Sequence, residues 1–565
     1  MRVRSKLTVV GALLLLGGLA AVPLAGGARG HHSTAGADHR GGTFVILTPA
    51  SPATIDPGID YGTAWAEIIL SHDGLVAFRK VGGAAGGQIV PDLAVAVPKP
   101  TGNGKTYTFK LRSGIRYSDG SLLKARDFKN VFERMFKVHS PVAGSFYSTI
   151  VGAKACGATP ATCDLSNGVV TNDAAGTVVF HLTEPSNEFL QQLALPFAFA
   201  VPSSAPNSDI GSNQLPGTGP YMWASYAPNR EIRLVRNPHF RVWSAAAQPD
   251  GYPDEIDVKI GLDLEAAITQ VENGQADFVL PVGGTLPNDR LNEISTKYAS
   301  QTHVNPVAGI FYMAMNNRVA PFNNVLVRRA INYATDRNAI VKIFGGPKLA
   351  VPTCQVLPPA FPGYRPYCPY SKGGGGTAWK APDMAKARKL IAQSGTKGQS
   401  VTIVNPNIPP GQATGLYFKD LLAKLGYKTK LKLLAPPVSN PLAKNSRNKI
   451  QMTFSIWFQD YPAASDFLAI LASCKSFVPN SGSNPNIEEY CDKKVQTKMD
   501  RAAVLGRSNP AAANRLWAKI DRDVTNAAAM DVLINPRAVT FVGKRLGNFK
   551  FNPQWQFLVD QAWVQ

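Results

Sequence analysis

Two stretches of the chain, far apart, run through one order of elements, and that order restricts the fold more than any other feature. Residues 254–260 (DEIDVKI) alternate as a strand does, residues 265–273 carry helical spacing up to a stop at Gly274, and residues 276–280 form a second strand. Residues 401–404, 413–425 closed by Gly426, and 428–434 repeat the pattern. Parallel neighbours cannot be joined by a tight turn and need a covering helix, so each stretch predicts a βαβ unit in an α/β sheet. At 565 residues the chain exceeds the size at which one core keeps growing, and two lobes are expected.

The start of the chain differs in kind. Arg2, Arg4 and Lys6 precede an apolar run from Leu7 to Leu24, and the small residues Ala25 to Ala28 follow, which is the order of a secretory signal. Export is expected, to the periplasm or the outer face of the cell membrane, with cleavage near Ala25 or Ala28 or with the signal kept as an anchor. The small, polar residues that follow read as a tether, and His31, His32 and His39 as part of its composition rather than as metal ligands. Six cysteines form sequence-local pairs, Cys156 with Cys163, Cys354 with Cys368 and Cys474 with Cys491, and three disulfides suit an exported chain. Zinc is the weaker alternative, since no C-x-x-C occurs and no histidine lies near any pair.

Net charge is +21 and unevenly placed. Residues 1–300 carry 25 Lys and Arg against 25 Asp and Glu, whereas residues 301–450 carry 21 against 3. Such a stripe raises the question of nucleic acid. An exported chain without a nucleic-acid fold argues against it. A solvated basic surface is expected instead, or one that faces anionic envelope polymer or lipid headgroups.

Residues 105–128 (KTYTFKLRSGIRYSDGSLLKARDF) combine a strand, two turns and a helix. Tyr107, Phe109 and Leu111 alternate with polar residues, Ser113-Gly114 and Asp119-Gly120 turn the chain, and Phe128, Val131, Phe132 and Met135 share one helix face. IVPDLA stands upstream at residues 89–94. In order, IVPDLA, TYTFKLR, GIRYSDG and KARDF resemble the signature of the family 5 extracytoplasmic solute-binding proteins, the oligopeptide, dipeptide and nickel-complex receptors of ABC importers. The Asp56-Pro57 turn, GTGPY at residues 217–221, RLVRNPHFRVW at 233–243 and the PF, R-x-A and A-x-D-R series between Pro321 and Arg337 resemble the family too. GTGPY is not a phosphate cradle, since no Lys-Ser or Lys-Thr follows it and Pro220 lacks a donor. Many members carry a lipid-bearing cysteine after the signal; none occurs here before Cys156, which argues against a lipid anchor.

The resemblance implies a two-lobed α/β, periplasmic-binding-protein-like fold of the type II, large family 5 form, with an extra β-rich subdomain in the first lobe. The expected division is a signal over 1–28, a tether over 29–42, a discontinuous first lobe from 43–75, 186–304 and 511–565, the β-rich subdomain over 76–185, and a second lobe over 305–510. Capture by lobe closure needs no cofactor and no catalysis. The sequence holds no G-x-S-x-G or H-E-x-x-H, and the eight histidines show no metal-ligand spacing in the folded part.

In MTFSIWFQDYPAASDF, residues 452–456 read as a buried strand and Asp460 falls just past its end, where α/β sheets place binding sites. A carboxylate in a low-dielectric cleft needs a cation, either a ligand ammonium or one of this lobe's own Lys or Arg. Trp457 offers a flat face for stacking. In peptide receptors of the family a W-x-x-D-Y segment supplies the Asp that holds the peptide's α-amino group, and Trp457, Asp460 and Tyr461 match that spacing. Tyr461 has packing as its other role, and Tyr61 is the fourth candidate. The expected partners are a peptide or similar small solute and ABC permease subunits, with a monomeric receptor. A nickel or metallophore receptor, an exported hydrolase and an envelope protein that kept the fold are the competing functions.

Overall fold

The computed structural model describes residues 39–281 and 286–565; the expected signal and most of the tether lie outside them. The first lobe opens with β1 (Thr43–Thr48) and α1 (Trp65–Ser71). A small antiparallel sheet follows, made of β2 (Thr106–Lys110), β3 (Val169–Asn172) and β4 (Thr177–His181), with β4 in the middle and α2 (Ala125–Lys137) against it. Alternation in β2 turns Tyr107 and Phe109 inward, where Phe128, Val131, Phe132 and Met135 of α2 join them in one core. Helix α2 starts where Asp127 accepts the Lys124 backbone N–H at 2.8 Å and the Tyr117 hydroxyl at 3.0 Å. The extended residues expected at 115–118 make a single bridge, Arg116 to Leu122, around a turn whose Gly120 has φ of 84°.

The main sheet of this lobe adds β5 (Tyr221–Ala227), β6 (Glu231–Arg236), β7 (Glu255–Ile260), α3 (Leu264–Glu272) and β8 (Phe278–Val279), in the order β8-β1-β7-β6-β5. Strand β1 runs parallel to both β7 and β8, as a helical crossover demands. The sheet is nonetheless mixed, because a tight turn joins β5 to β6 and makes that edge antiparallel.

The second lobe is built from β9 (Thr302–Pro306), β10 (Gly309–Met315), α4 (Val325–Ala334), β11 (Ala350–Pro352), β12 (Ser400–Pro406), α5 (Pro409–Lys424), β13 (Lys428–Leu434), α6 (Pro436–Lys444), β14 (Met452–Phe458), α7 (Ala464–Leu471), α8 (Lys493–Gly506), α9 (Pro510–Asn526) and β15 (Met530–Phe541). Its strands run β9-β15-β10-β14-β12-β13, with β11 beside β15. Strands β12 and β13 are parallel, and β10 is antiparallel to both neighbours. One face carries Phe311, Met313, Ile331, Ile403 and Phe418, the other Tyr312, Phe467, Leu471, Trp517 and Ile520. Cover on both faces explains why β10 is apolar along its whole length. At the edge, β13 shows Lys428, Lys430 and Lys432 to solvent.

Residues 511–541 do not return to the first lobe as expected. Helix α9 packs on the second sheet, and β15 lies inside that sheet. An apolar strand buried nearly throughout needs neighbours on both sides, and β9, β10 and β11 supply them. The return begins after Phe541. Arg545 grips Asp277 through two hydrogen bonds of 2.6 and 2.7 Å, Lys80 lies 3.4 Å from Asp560, and Phe557, Val559 and Ala562 enter the first core. The three disulfides join the expected pairs, and no free cysteine is left among the described residues.

Candidate functional site

Strand β14 positions the candidate site. Along one side it pairs with β10 from Met452 to Phe458. Along the other, β12 meets it only at Met452, and the Asn405 side chain then takes over: its Oδ1 accepts the Phe454 N–H at 2.9 Å while its Nδ2 donates to the Gly411 carbonyl at 2.9 Å. Beyond Phe454 no described strand covers this side, and Ile456 and Phe458 are 45% and 38% exposed. A cavity of about 260 Å³ opens in the gap, lined by Ile408, Pro436, Lys444, Ser455, Trp457 and Ile487 among others. Trp457 is half-buried, and its indole N–H has no partner. Lys444 makes no ion pair among the described residues, and burial holds its ammonium below the usual lysine range.

Asp460 lies two residues past the strand, 5% exposed. Its carbonyl accepts from Gln554 Nε2 at 2.7 Å, and its Oδ1 accepts the Tyr61 hydroxyl at 2.6 Å. Tyr61 comes from the loop between β1 and α1, so the contact bridges the lobes. Its ring packs on Trp65 and Phe197 and remains 46% exposed, while the hydroxyl turns in to the acid. Asp460 Oδ2 has no partner, and no guanidinium or ammonium of the described residues stands beside it. Burial pushes its carboxyl up to about 6, against a smaller downward pull from the Tyr61 hydrogen bond. The same burial, with the Asp460 charge next in weight, pushes the Tyr61 phenol up.

The four sequence candidates therefore divide. Asp460 and Tyr61 are in direct contact, and Trp457 lines the neighbouring cavity. Tyr461 is 4% exposed, sits edge-on to Phe146 at 5.6 Å and receives a 3.4 Å hydrogen bond from Gln192, so it anchors this segment in the first core. Two neighbours escaped the sequence reading. Asp466, in the first turn of α7, accepts the Asp460 N–H at 2.9 Å. Lys444 was hidden among the many lysines of its lobe. Beyond Asp466 lies a groove of about 680 Å³ between residues 185–191 and the second lobe, where Ser465 donates to Glu188 at 2.8 Å.

Comparison with known proteins gives this arrangement a family. The profile of the bacterial extracellular solute-binding proteins, family 5, matches residues 88–478. The glutathione-binding protein GsiB of Salmonella typhi is 25% identical over 474 residues, covering 81% of this chain and 83% of the relative. The probable D,D-dipeptide-binding periplasmic protein DdpA of Escherichia coli (strain K12) is 23% identical over 523 residues, covering 90% and 92%. Among solved structures, the clavulanic acid biosynthesis oligopeptide binding protein 2 superposes with a TM-score of 0.81 at 24% identity, over 93% of this chain and 96% of that one. The chain belongs to the family 5 bacterial extracellular solute-binding proteins.

Proposed function

We propose that this protein captures a peptide between its lobes by the peptide's free amino end, held at Asp460, and delivers it to an ABC transporter permease outside the cytoplasm. The observation that carries the reading is a buried carboxylate at the junction of the lobes with one oxygen unpartnered and no protein cation beside it. Such a group is costly unless a cation arrives, and an α-ammonium is a cation of the right size. The open side of β14 at Ile456 and Phe458 gives an extended peptide backbone an edge to pair with, and the apolar cavity lined by Trp457 and Ile487 suits a side chain. Lys444 supplies that cavity with a cation for a carboxylate.

Names of relatives point the same way: one binds glutathione, one is a probable D,D-dipeptide binder and one an oligopeptide binder. Closure of the two sheets about the crossings near residues 301 and 542 would hide the ligand from water and present the closed shape to the permease. No helix among the described residues is long and apolar enough to cross a membrane, and the export site is read from the sequence signal.

Native mass spectrometry tests the reading. The protein is mixed with a pool of random tetrapeptides, and in parallel with the same pool N-acetylated. Retention from the first pool and none from the second is expected. Equal retention, or none from either pool, overturns the assignment of Asp460 to an amino end.

A further inference from the structure

Asp466 is a second acid at the proposed amino-end site. With its Oδ2 occupied by the Asp460 N–H, its Oδ1 is enclosed without a partner, just as Asp460 Oδ2 is. Asp466 itself has no exposed surface. The other titratable groups that face the two acids are Tyr61 from the first-lobe loop and Tyr461 from their own segment, neither of them a cation; Glu188 acts on Tyr461 and bonds Ser465 instead. Arg507 acts on Glu188 rather than on the pair. Burial raises both carboxyls, and the charge of Asp460 raises Asp466 further.

Two enclosed carboxylates this close cannot both ionise without a cation. Resting on the peptide reading, we propose that Asp460 and Asp466 hold one proton between them in the empty receptor, and that the ligand's ammonium takes the place of that proton. The charge is conserved in the exchange: a pair with one proton carries −1, and a fully ionised pair with one ammonium carries −1 again. The proton leaves to solvent. Asp466 is thus a positioning residue that makes the site accept a cation in exchange for a proton, and a neutral ligand end has nothing to exchange.

Calorimetry at pH 6.5, in two buffers of different ionisation enthalpy, counts the protons. The probe is the tetrapeptide retained best from the free-amine pool. The unaltered protein is expected to release about one proton per peptide bound, with affinity rising up to about tenfold per pH unit between about pH 5.5 and 7. Asp466→Asn, in which burial alone raises Asp460, is expected to release clearly less than one proton at pH 6.5, with an affinity that levels off at lower pH than in the unaltered protein. Release of no proton by the unaltered protein, or equal release by Asp466→Asn, overturns the exchange. A ligand-free arm separates this from the peptide reading: carboxyl carbon NMR of aspartate-labelled protein should show, beside the signals of other buried aspartates such as Asp92 and Asp521, a protonated aspartic acid at pH 6.5 that is weakened or lost in both Asp466→Asn and Asp460→Asn. Two ionised carboxylates there overturn the shared proton even if peptides bind. A protonated signal without any peptide binding overturns the peptide reading and leaves the shared proton standing.

Discussion

Two buried aspartates of the second lobe, Asp531 and Asp460, are treated in opposite ways by the fold. Asp531 Oδ1 accepts from Arg337 at 2.8 Å and its Oδ2 from Thr335 at 2.6 Å, with both charged side chains fully enclosed. Arg337 places its remaining donors on the carbonyls of Thr353, Val532 and Asn332. Asp460, nearly as enclosed, meets a phenol and a second acid. The lesson is that these two acids differ in their partners and not in their burial: Asp531 is answered by a guanidinium, and Asp460 by no cation among the described residues. Burial alone does not distinguish the two cases; the inventory of partners does.

That contrast is broken most directly at Arg337. Arg337→Met leaves Asp531 enclosed without its cation and is expected to cost about 3–5 kcal/mol of stability, read from chemical denaturation midpoints. Asp460→Asn, by the same measurement, should cost nothing or add stability, since it removes a charge that the empty protein does not compensate. A large loss in Asp460→Asn would put the two acids in one class. Next in size, Asp460→Ala should remove about 2–5 kcal/mol of peptide affinity by titration calorimetry, while Arg337→Met, if folded, leaves affinity within about threefold.

Acidity sharpens the contrast further. Burial lifts the Asp460 carboxyl to about 6 from an ordinary 3.8, so the folded protein binds protons there that the unfolded chain does not hold between those values. Stability of the empty protein therefore gains from this site as pH falls from 7 toward 4, on the order of 2 kcal/mol, and the gain is lost as pH rises through about 6. The double variant Asp460→Asn with Asp466→Asn should lack that gain in melting curves at pH 5 and 7. Lys444→Met is expected to weaken peptides with a free carboxyl end about tenfold and to leave their amides unchanged. The smallest effect belongs to Tyr61→Phe, which removes one hydrogen bond to Asp460: binding about three- to tenfold weaker, with a melting temperature lowered by a few degrees at most.

Periodicity carried most of the fold. Both βαβ units, the strand at 106–110 and helix α2 follow from apolar spacing that only one element type can satisfy. The destination of α9 and β15 was not legible, because an amphipathic helix and a buried strand look the same whichever sheet receives them. The antiparallel edges were not legible either, since pairing direction depends on connections across the whole lobe. At the site, Asp460 announced itself by following an apolar strand, although that strand is buried only as far as Phe454 and is open at Ile456 and Phe458. Asp466 did not, because an acid in the first turn of a helix is common for reasons unrelated to ligands. Tyr461 shows the reverse: its spacing beside Asp460 drew attention, and its ring serves the core.

Asn405 occupies the place where the ladder between β12 and β14 would otherwise continue, answering one strand with its oxygen and the next turn with its nitrogen. It works as a doorstop. With valine there, the Phe454 N–H and the Gly411 carbonyl lose that partner together, and the first turn of α5 loses its tie to β14.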